Sequence, residues 1–395
     1  MHTSEVAAYD FFAPAQIVFG SGRWREIGTL AAPLGRRAWI VSGSRAVESA
    51  GVVNRLHEVL RENGVEPLPL AVTSGEPTVA QVDAAAERLR SLGVRPNDLV
   101  LGIGGGSAID LAKALAALAT NTEGASVRDY LEGVGRGLKL TQWPLPVVAV
   151  PTTAGTGSEA TKNAVISVND PAVKKSLRSN DLVPRLVVID PELTLTLPAT
   201  TTAYTGMDAI TQLIESYISR RARPIPRILA VQGLRLALPA LETAVTQGEN
   251  LPAREAMAHA ALLSGMALAN SGLGMAHGVA AALGVHCNAP HGLACAVMLP
   301  TALRVNRPVV ETALGNLARE VGIASDVDPE VAAGRFIDQI ESLCRRVGIP
   351  KKLSELGVRP EQIPLLVRDS RGNSMDGNPR TLSDAELQAA LEAML

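Results

Sequence analysis

The stretch GMDAITQLIES, residues 206 to 216, places a carboxylate, Asp208, and a carboxamide, Gln212, four residues apart. On a helix that spacing puts both side chains on one face. Three of the six histidines, His277, His286 and His291, lie in GMAHGVAAALGVHCNAPHG, residues 274 to 292. Imidazole is the commonest protein ligand for Zn and Fe, and two imidazoles from different segments can join a helix-borne carboxylate around a divalent ion. His277 and His291 are each followed by glycine, which opens space beside the ring. The sequence alone does not bring Asp208 to either of them, and a hydrogen-bonded core or surface group is the competing reading for any single histidine. His2, His57 and His259 are read in that second way.

A second chemistry is written in glycines. In DLVLGIGGGSAIDLAKALAALA, residues 98 to 119, Gly104, Gly105 and Gly106 follow a strand-like run and precede a helix whose first turn holds Ser107 and Asp110. Glycine permits close backbone approach, and a helix N-terminus offers unpaired N–H groups to a phosphate. The run departs from the dinucleotide fingerprint, whose third glycine falls on Ser107, and it is no Walker A loop. VAVPTTAGTGSEATKNAVI, residues 148 to 166, is a further loop of hydroxyls and small residues after a strand, suited to a ribose or nicotinamide. A ligand-free tight turn and a plain Ser/Thr loop are the bland readings of each alone. Two such loops in one half favour a nucleotide.

The elements that must position these groups change character along the chain. Up to about residue 190, apolar runs at 36–42, 66–72, 98–104, 146–151 and 185–190 alternate with helical segments, the pattern of a parallel sheet covered by helices. After it, long Ala/Leu-rich segments take over. The sequence therefore predicts an α/β, nucleotide-binding domain over residues 1–195 and a mostly helical domain over 196–395, with a ligand in the cleft between them. A length of 395 residues suits two such cores.

Composition narrows the function. A formal charge of −2 gives no basic field for nucleic acid or an anionic membrane, and 47% apolar with 19% charged residues is the balance of a globular enzyme. Cys287, Cys295 and Cys344 form no CxxC pair or disulfide framework, which fits a reducing cytoplasm. The first twenty residues lack the basic start and apolar core of a signal peptide. The apolar stretch at 256–284 is broken by His259, Asn270, His277 and glycines, so it reads as buried helical core and not as a membrane span.

Five ordered motifs carry a resemblance: GGGSAIDLAKA (104–114), PTTAGTGSEAT (151–161), DPELTLTLP (190–198), GMDA (206–209), and NSGLGMAHG with NAPHG (270–278, 288–292). Together they resemble the iron-containing, or group III, alcohol dehydrogenases over nearly the whole chain. The resemblance implies a dehydroquinate synthase-like architecture, with a dinucleotide-binding domain over 1–195 and an all-α, metal-binding domain over 196–395, and a divalent metal held at the positions of Asp208, Gln212, His277 and His291. In the family the second position is His, and a further His stands where this chain has Ala281. A neutral amide binds a borderline metal less tightly than imidazole, so the expectation is a weakened site, with Fe(II) ahead of Zn(II). His286 or Cys287 is the alternative occupant of the position left by His.

The resemblance further implies pyrophosphate contacts from Gly105, Gly106 and Ser107 with Asp110 in the same turn, ribose or nicotinamide contacts from Thr152, Thr153 and Thr156, and a cofactor contact from Lys175. Where many relatives carry an Asp that disfavours a 2′-phosphate, this chain has Gly43, followed by Ser44 and Arg45, so NADP is expected to be accepted as well as NAD, with NADPH preferred. The expected function is an NAD(P)-dependent, metal-assisted alcohol dehydrogenase or aldehyde reductase for a small alcohol or carbonyl, working as a homodimer or larger. Two alternatives stay open: a metal-independent reductase of the same fold, like the maleylacetate reductases, and a non-catalytic nucleotide-binding protein.

Overall fold

The structure, a computed structural model, describes residues 8–43 and 51–395. Its first half is a six-stranded, wholly parallel sheet built from β1 (Gln16–Phe19), β2 (Arg37–Ser42), β3 (Glu66–Val72), β4 (Asp98–Gly104), β5 (Val147–Pro151) and β8 (Leu186–Ile189), in the order β1-β8-β5-β4-β2-β3. Alternation along the strands feeds two cores. Trp39, Val41 and Val100 pack on one face, while Ala38, Ile40, Leu99, Leu101, Val148 and Val188 pack on the other. A parallel sheet buried on both faces accounts for the near-continuous apolar strands.

The covering helices are α1 (Ile27–Ala31), α2 (Val52–Glu62), α3 (Val79–Ser91) and α4 (Gly106–Leu118). In α2 the buried residues Leu56, Val59 and Leu60 recur at helical spacing, and α3 starts where the Thr78 hydroxyl accepts the Gln81 N–H. Every residue of α4 except Ser107 is buried, as its apolar circumference requires. The sheet end of β2 is pinned by Asp98, which accepts from Arg37 Nε at 2.8 Å and from the Trp39 indole at 2.8 Å.

Three strands differ from the sequence expectation. β1 is a short edge strand, and β6 (Asn163–Asn169) and β7 (Ala172–Arg178) form an antiparallel hairpin. The stretch read as one loop to Ile166 thus becomes a strand at Asn163. The hairpin buries Ala164, Ile166, Val168 and Leu177 and turns its other side outward, so its alternation is diluted by polar residues.

The second half is helical: α5 (Ala199–Ile218), α6 (Pro224–Thr246), α7 (Leu251–Ser271), α8 (Met275–His286), α9 (His291–Glu320), α10 (Pro329–Arg346), and the shorter α11 (Ile363–Asp369), α12 (Asn373–Asp376) and α13 (Asp384–Glu392). The apolar stretch at 256–284 folds as α7 and α8, bent by 101° at a break that contains Gly272 and Gly274. Gly272 takes φ +93°, a conformation side chains disfavour. This break aims the first turn of α8 at α5.

Candidate metal and cofactor site

Four donor atoms meet where α5, α8 and α9 converge. Asp208 lies in the middle of α5, His277 in the first turn of α8, and His291 and Cys295 one turn apart at the start of α9. The oxygen, nitrogen and sulfur atoms they offer all lie within 4.8 Å of one another. His277 Nε2 is 3.2 Å and His291 Nε2 3.9 Å from Asp208 Oδ1, and Cys295 Sγ is 3.7 Å from His291 Nε2. Asp208, His277 and Cys295 are buried, whereas the His291 side chain is 38% exposed.

Close helix packing makes this convergence possible. A Cβ on Gly292 would stand 2.4 Å from the Tyr204 carbonyl oxygen, so glycine there lets α9 press against α5 and deliver His291 to Asp208. The glycine after His291 therefore serves helix approach more than space beside the ring. His277 is fixed by a residue that motif reading passed over. Buried Glu215 takes His277 Nδ1 at 2.7 Å and also accepts the backbone N–H groups of Gly274 at 3.0 Å and Ala276 at 2.7 Å. Glu215 follows Asp208 by two turns of α5 and so lies on a similar face, which is the signal that could have found it.

Gln212 is engaged elsewhere. Its Oε1 accepts the Ser264 hydroxyl at 2.7 Å and its Nε2 donates to the Thr156 carbonyl at 3.3 Å, although the side chain still lines the cavity. His286 bonds Asp369 at 2.7 Å and Cys287 accepts from Gln362 at 3.7 Å, so neither joins the donor cluster. Cys295, which the sequence reading left aside, does.

Electrostatics mark the cluster as a place for positive charge. Burial pushes the Asp208 carboxyl up, but His291 and His277 outweigh it and hold it below the ordinary range. Burial also opposes the His277 imidazolium, yet its electrostatic interaction with Cys295 and its hydrogen bond to Asp208 raise it well above its usual value. The interaction with Cys295, set against burial and helped by Asp208, raises His291 to about 9. Protons or a metal ion can satisfy such a cluster, and a metal must displace the protons to bind.

The cluster opens into a cavity of about 410 Å³ whose opposite wall is the α/β half. Gly106, Ser107, Asp110, Thr156 and Lys175 line it together with Asp208, Gln212, His277, Ala281 and His291. Gly105 is the N-cap of α4, and Gly106 lies so close to Thr156 that a Cβ would come within 2.6 Å of its hydroxyl oxygen. Gly105 faces Thr153 less tightly, since a Cβ there would meet the Thr153 methyl at an ordinary contact of 3.4 Å. The two sequence loops are thus brought edge to edge. Gly43, Thr152, Gly105 and Thr153 are not among the residues that line it: Thr152 is buried with its N–H on the Gly104 carbonyl at 2.9 Å, Gly43 packs on Gly104, and Gly105 and Thr153 are half-buried. Asp110 is buried and receives the Val165 N–H at 3.0 Å, tying the β6–β7 hairpin to α4. Ser44 and Arg45 lie outside the described residues.

A parallel α/β half presenting a helix N-terminus across a cleft from a helical half that carries metal-type donors is a dehydroquinate synthase-like architecture, a frame for a nucleotide and a metal ion whose reaction the fold alone does not fix. The family model "Iron-containing alcohol dehydrogenase" matches residues 14–191, and "Fe-containing alcohol dehydrogenase family, C-terminal" matches 202–395. The chain belongs to the iron-containing alcohol dehydrogenase family. It is 31% identical over 389 residues to the NAD-dependent methanol dehydrogenase of Bacillus methanolicus, covering 98% of this chain and 100% of that one. Among solved structures it resembles a 1,3-propanediol oxidoreductase, with TM-score 0.90 and 32% identity over 98% of this chain and 100% of the other. It also resembles the sulfoacetaldehyde reductase of Bifidobacterium kashiwanohense in complex with NAD+, with TM-score 0.88 and 31% identity over 98% and 99% of the two chains.

Proposed function

We propose that the chain is an NAD(P)-dependent, metal-assisted alcohol dehydrogenase or aldehyde reductase acting on a small alcohol or carbonyl. The observation that carries this reading is the facing of two walls across one cavity: Asp208, His277 and His291 on one side, and the N-terminus of α4 with Gly106 and Ser107 on the other. A carboxylate and two imidazoles within 4.8 Å are a donor set suited to Fe(II) or Zn(II). A divalent ion held there supplies a Lewis acid for the substrate oxygen.

The chain's own residues do the rest. Glu215 fixes the tautomer and ring plane of His277 so that Nε2 points at Asp208. The α4 N-terminus offers its N–H groups to the cofactor pyrophosphate, and Thr156 closes the wall beside it. Lys175 sits on the hairpin side of the same cavity, where its ammonium suits a cofactor oxygen. Ala281 supplies no titratable group at its place in the wall, so this position would take no part in the proton exchange with substrate.

The test is steady-state kinetics on a panel of short alcohols and aldehydes with each dinucleotide. Asp208→Ala is expected to lower kcat/KM on the order of 10²- to 10³-fold, since such polarisation is worth several kcal/mol. Carbonyl reduction that persists in excess chelator would overturn the metal-assisted reading and favour a metal-independent reductase, for which the diverted Gln212 side chain is the specific support. The preference for NADPH rests on Gly43-Ser44-Arg45. A higher kcat/KM with NADH, unchanged in its ratio by Arg45→Ala, sinks it. Assembly into a homodimer or larger rests on the family and is read directly by light scattering.

A further inference from the structure

We propose that Cys295, and not Gln212, is the fourth protein donor to the metal, making the set Asp208, His277, His291 and Cys295 and turning the site's preference from Fe(II) to Zn(II). The inference rests on the metal-assisted reading above and adds to it an unexpected ligand.

Geometry comes first. His291 and Cys295 are four residues apart on α9, so their side chains share a face, and Sγ lies 3.7 Å from His291 Nε2. With Zn–N near 2.0–2.1 Å and Zn–S near 2.3 Å, tetrahedral donors in a set with one sulfur sit about 3.3–3.6 Å apart. The separations of 3.2, 3.9 and 3.7 Å lie within a few tenths of an ångström of this, and every pair of donors is within 4.8 Å, a gap that side-chain rotation about the ion would close. Gln212 is turned toward other partners: its carbonyl oxygen lies 2.7 Å from the Ser264 hydroxyl, which also reaches the Ala261 carbonyl at 2.7 Å, and its amide is drawn to the Thr156 carbonyl at 3.3 Å.

The chemistry of the donor agrees. Asp208 and Cys295 are 1% and 0% exposed, so the oxygen and sulfur they offer are shielded from water. Thiolate ligands favour Zn over the harder Fe(II). The other two cysteines have different company: Cys344 donates to the Ala296 carbonyl at 3.9 Å and Cys287 meets Gln362.

The experiment uses full-length protein stripped with chelator and reloaded without oxygen. Zn K-edge X-ray absorption of the Zn-loaded protein is expected to show one sulfur neighbour at about 2.3 Å, and the Co(II) form a thiolate-to-cobalt charge-transfer band in the near ultraviolet. Both signatures disappear in Cys295→Ser, whose Zn affinity falls by at least the roughly 10- to 100-fold seen when a ligand merely loses its supporting hydrogen bond. Because Cys295→Ser disturbs a packed helix, the double variant Cys295→Ala with Gln212→His provides the rescue: it regains Zn binding with nitrogen and oxygen neighbours only. Stoichiometric Zn that depends on Asp208 but has no sulfur neighbour overturns the proposal and leaves metal-assisted catalysis standing. Failure of the protein to bind Zn or Co(II) at all overturns both.

Discussion

Glu215 shows how much of a site can reside in a residue that touches no substrate. It holds His277 Nδ1 and two backbone N–H groups of the α8 entrance at once. Glu215→Ala is expected to weaken Zn binding by about 10- to 100-fold while Asp208 and His291 stay in place, measured by competition with a fluorescent chelator. A second buried group, Glu159, governs stability instead. Burial raises its carboxyl to about 7 against the pull of Lys113, and burial lowers Lys113 to about 8 against Asp110 and Glu159. A carboxyl raised above its unfolded value contributes stability at low pH that is lost as pH climbs from its ordinary range through about 7. For Lys113 the unfolded chain binds the extra proton, so stability recovers only above about 8. Glu159→Gln should therefore melt close to the wild type at pH 5 and above it at pH 8, as read by calorimetry; a constant Tm difference across that span sinks the assignment.

The helices and strands differ in how openly the sequence announces them. β2, β3, β4, β5 and β8 are apolar runs bounded by turn residues and were legible, as were α2 and α3 from their spacing. β1 was not, because only Val18 of its four residues is buried, and the β6–β7 hairpin was not, because its outward side is polar and abuts a Ser/Thr loop. Within the site, Asp208, His277 and His291 stand out because their residue types are rare in apolar helices. Cys295 does not, because a buried cysteine reads as a small hydrophobe until its neighbour one turn back is weighed. Glycine packing is equally hidden, since the clash partners come from distant segments. Gly292→Ala, which drives a methyl into the Tyr204 carbonyl, is expected to cost about 1–3 kcal/mol in urea denaturation and to weaken metal binding with it. Gly334→Ala on α10 meets nothing nearer than 3.7 Å and should stabilise by about 0.4–1 kcal/mol, separating helix propensity from packing.

At the scale of the molecule, α6 and α9 are long and apolar enough to cross a membrane by length and composition, yet α9 instead threads the helical half, packed against α5, α8 and α10, and carries two of the four donors. The two halves meet backbone to backbone. Gly157, at φ +65°, lies so near Gly265 of α7 that a Cβ on the first would fall 2.4 Å from the second's Cα. Gly265→Ala is expected to wedge this seam, lowering kcat/KM on the order of 10²-fold through misplacement of the nicotinamide loop while leaving Zn affinity as it was. Equal losses in both quantities would show that the halves are not separable in this way. The donors all come from helices of one half, and the glycine turn comes from the other. An excursion that widens the cleft would therefore move the glycine turn relative to the donors without separating the donors from one another, so that dinucleotide release and metal retention are governed by different halves of the fold.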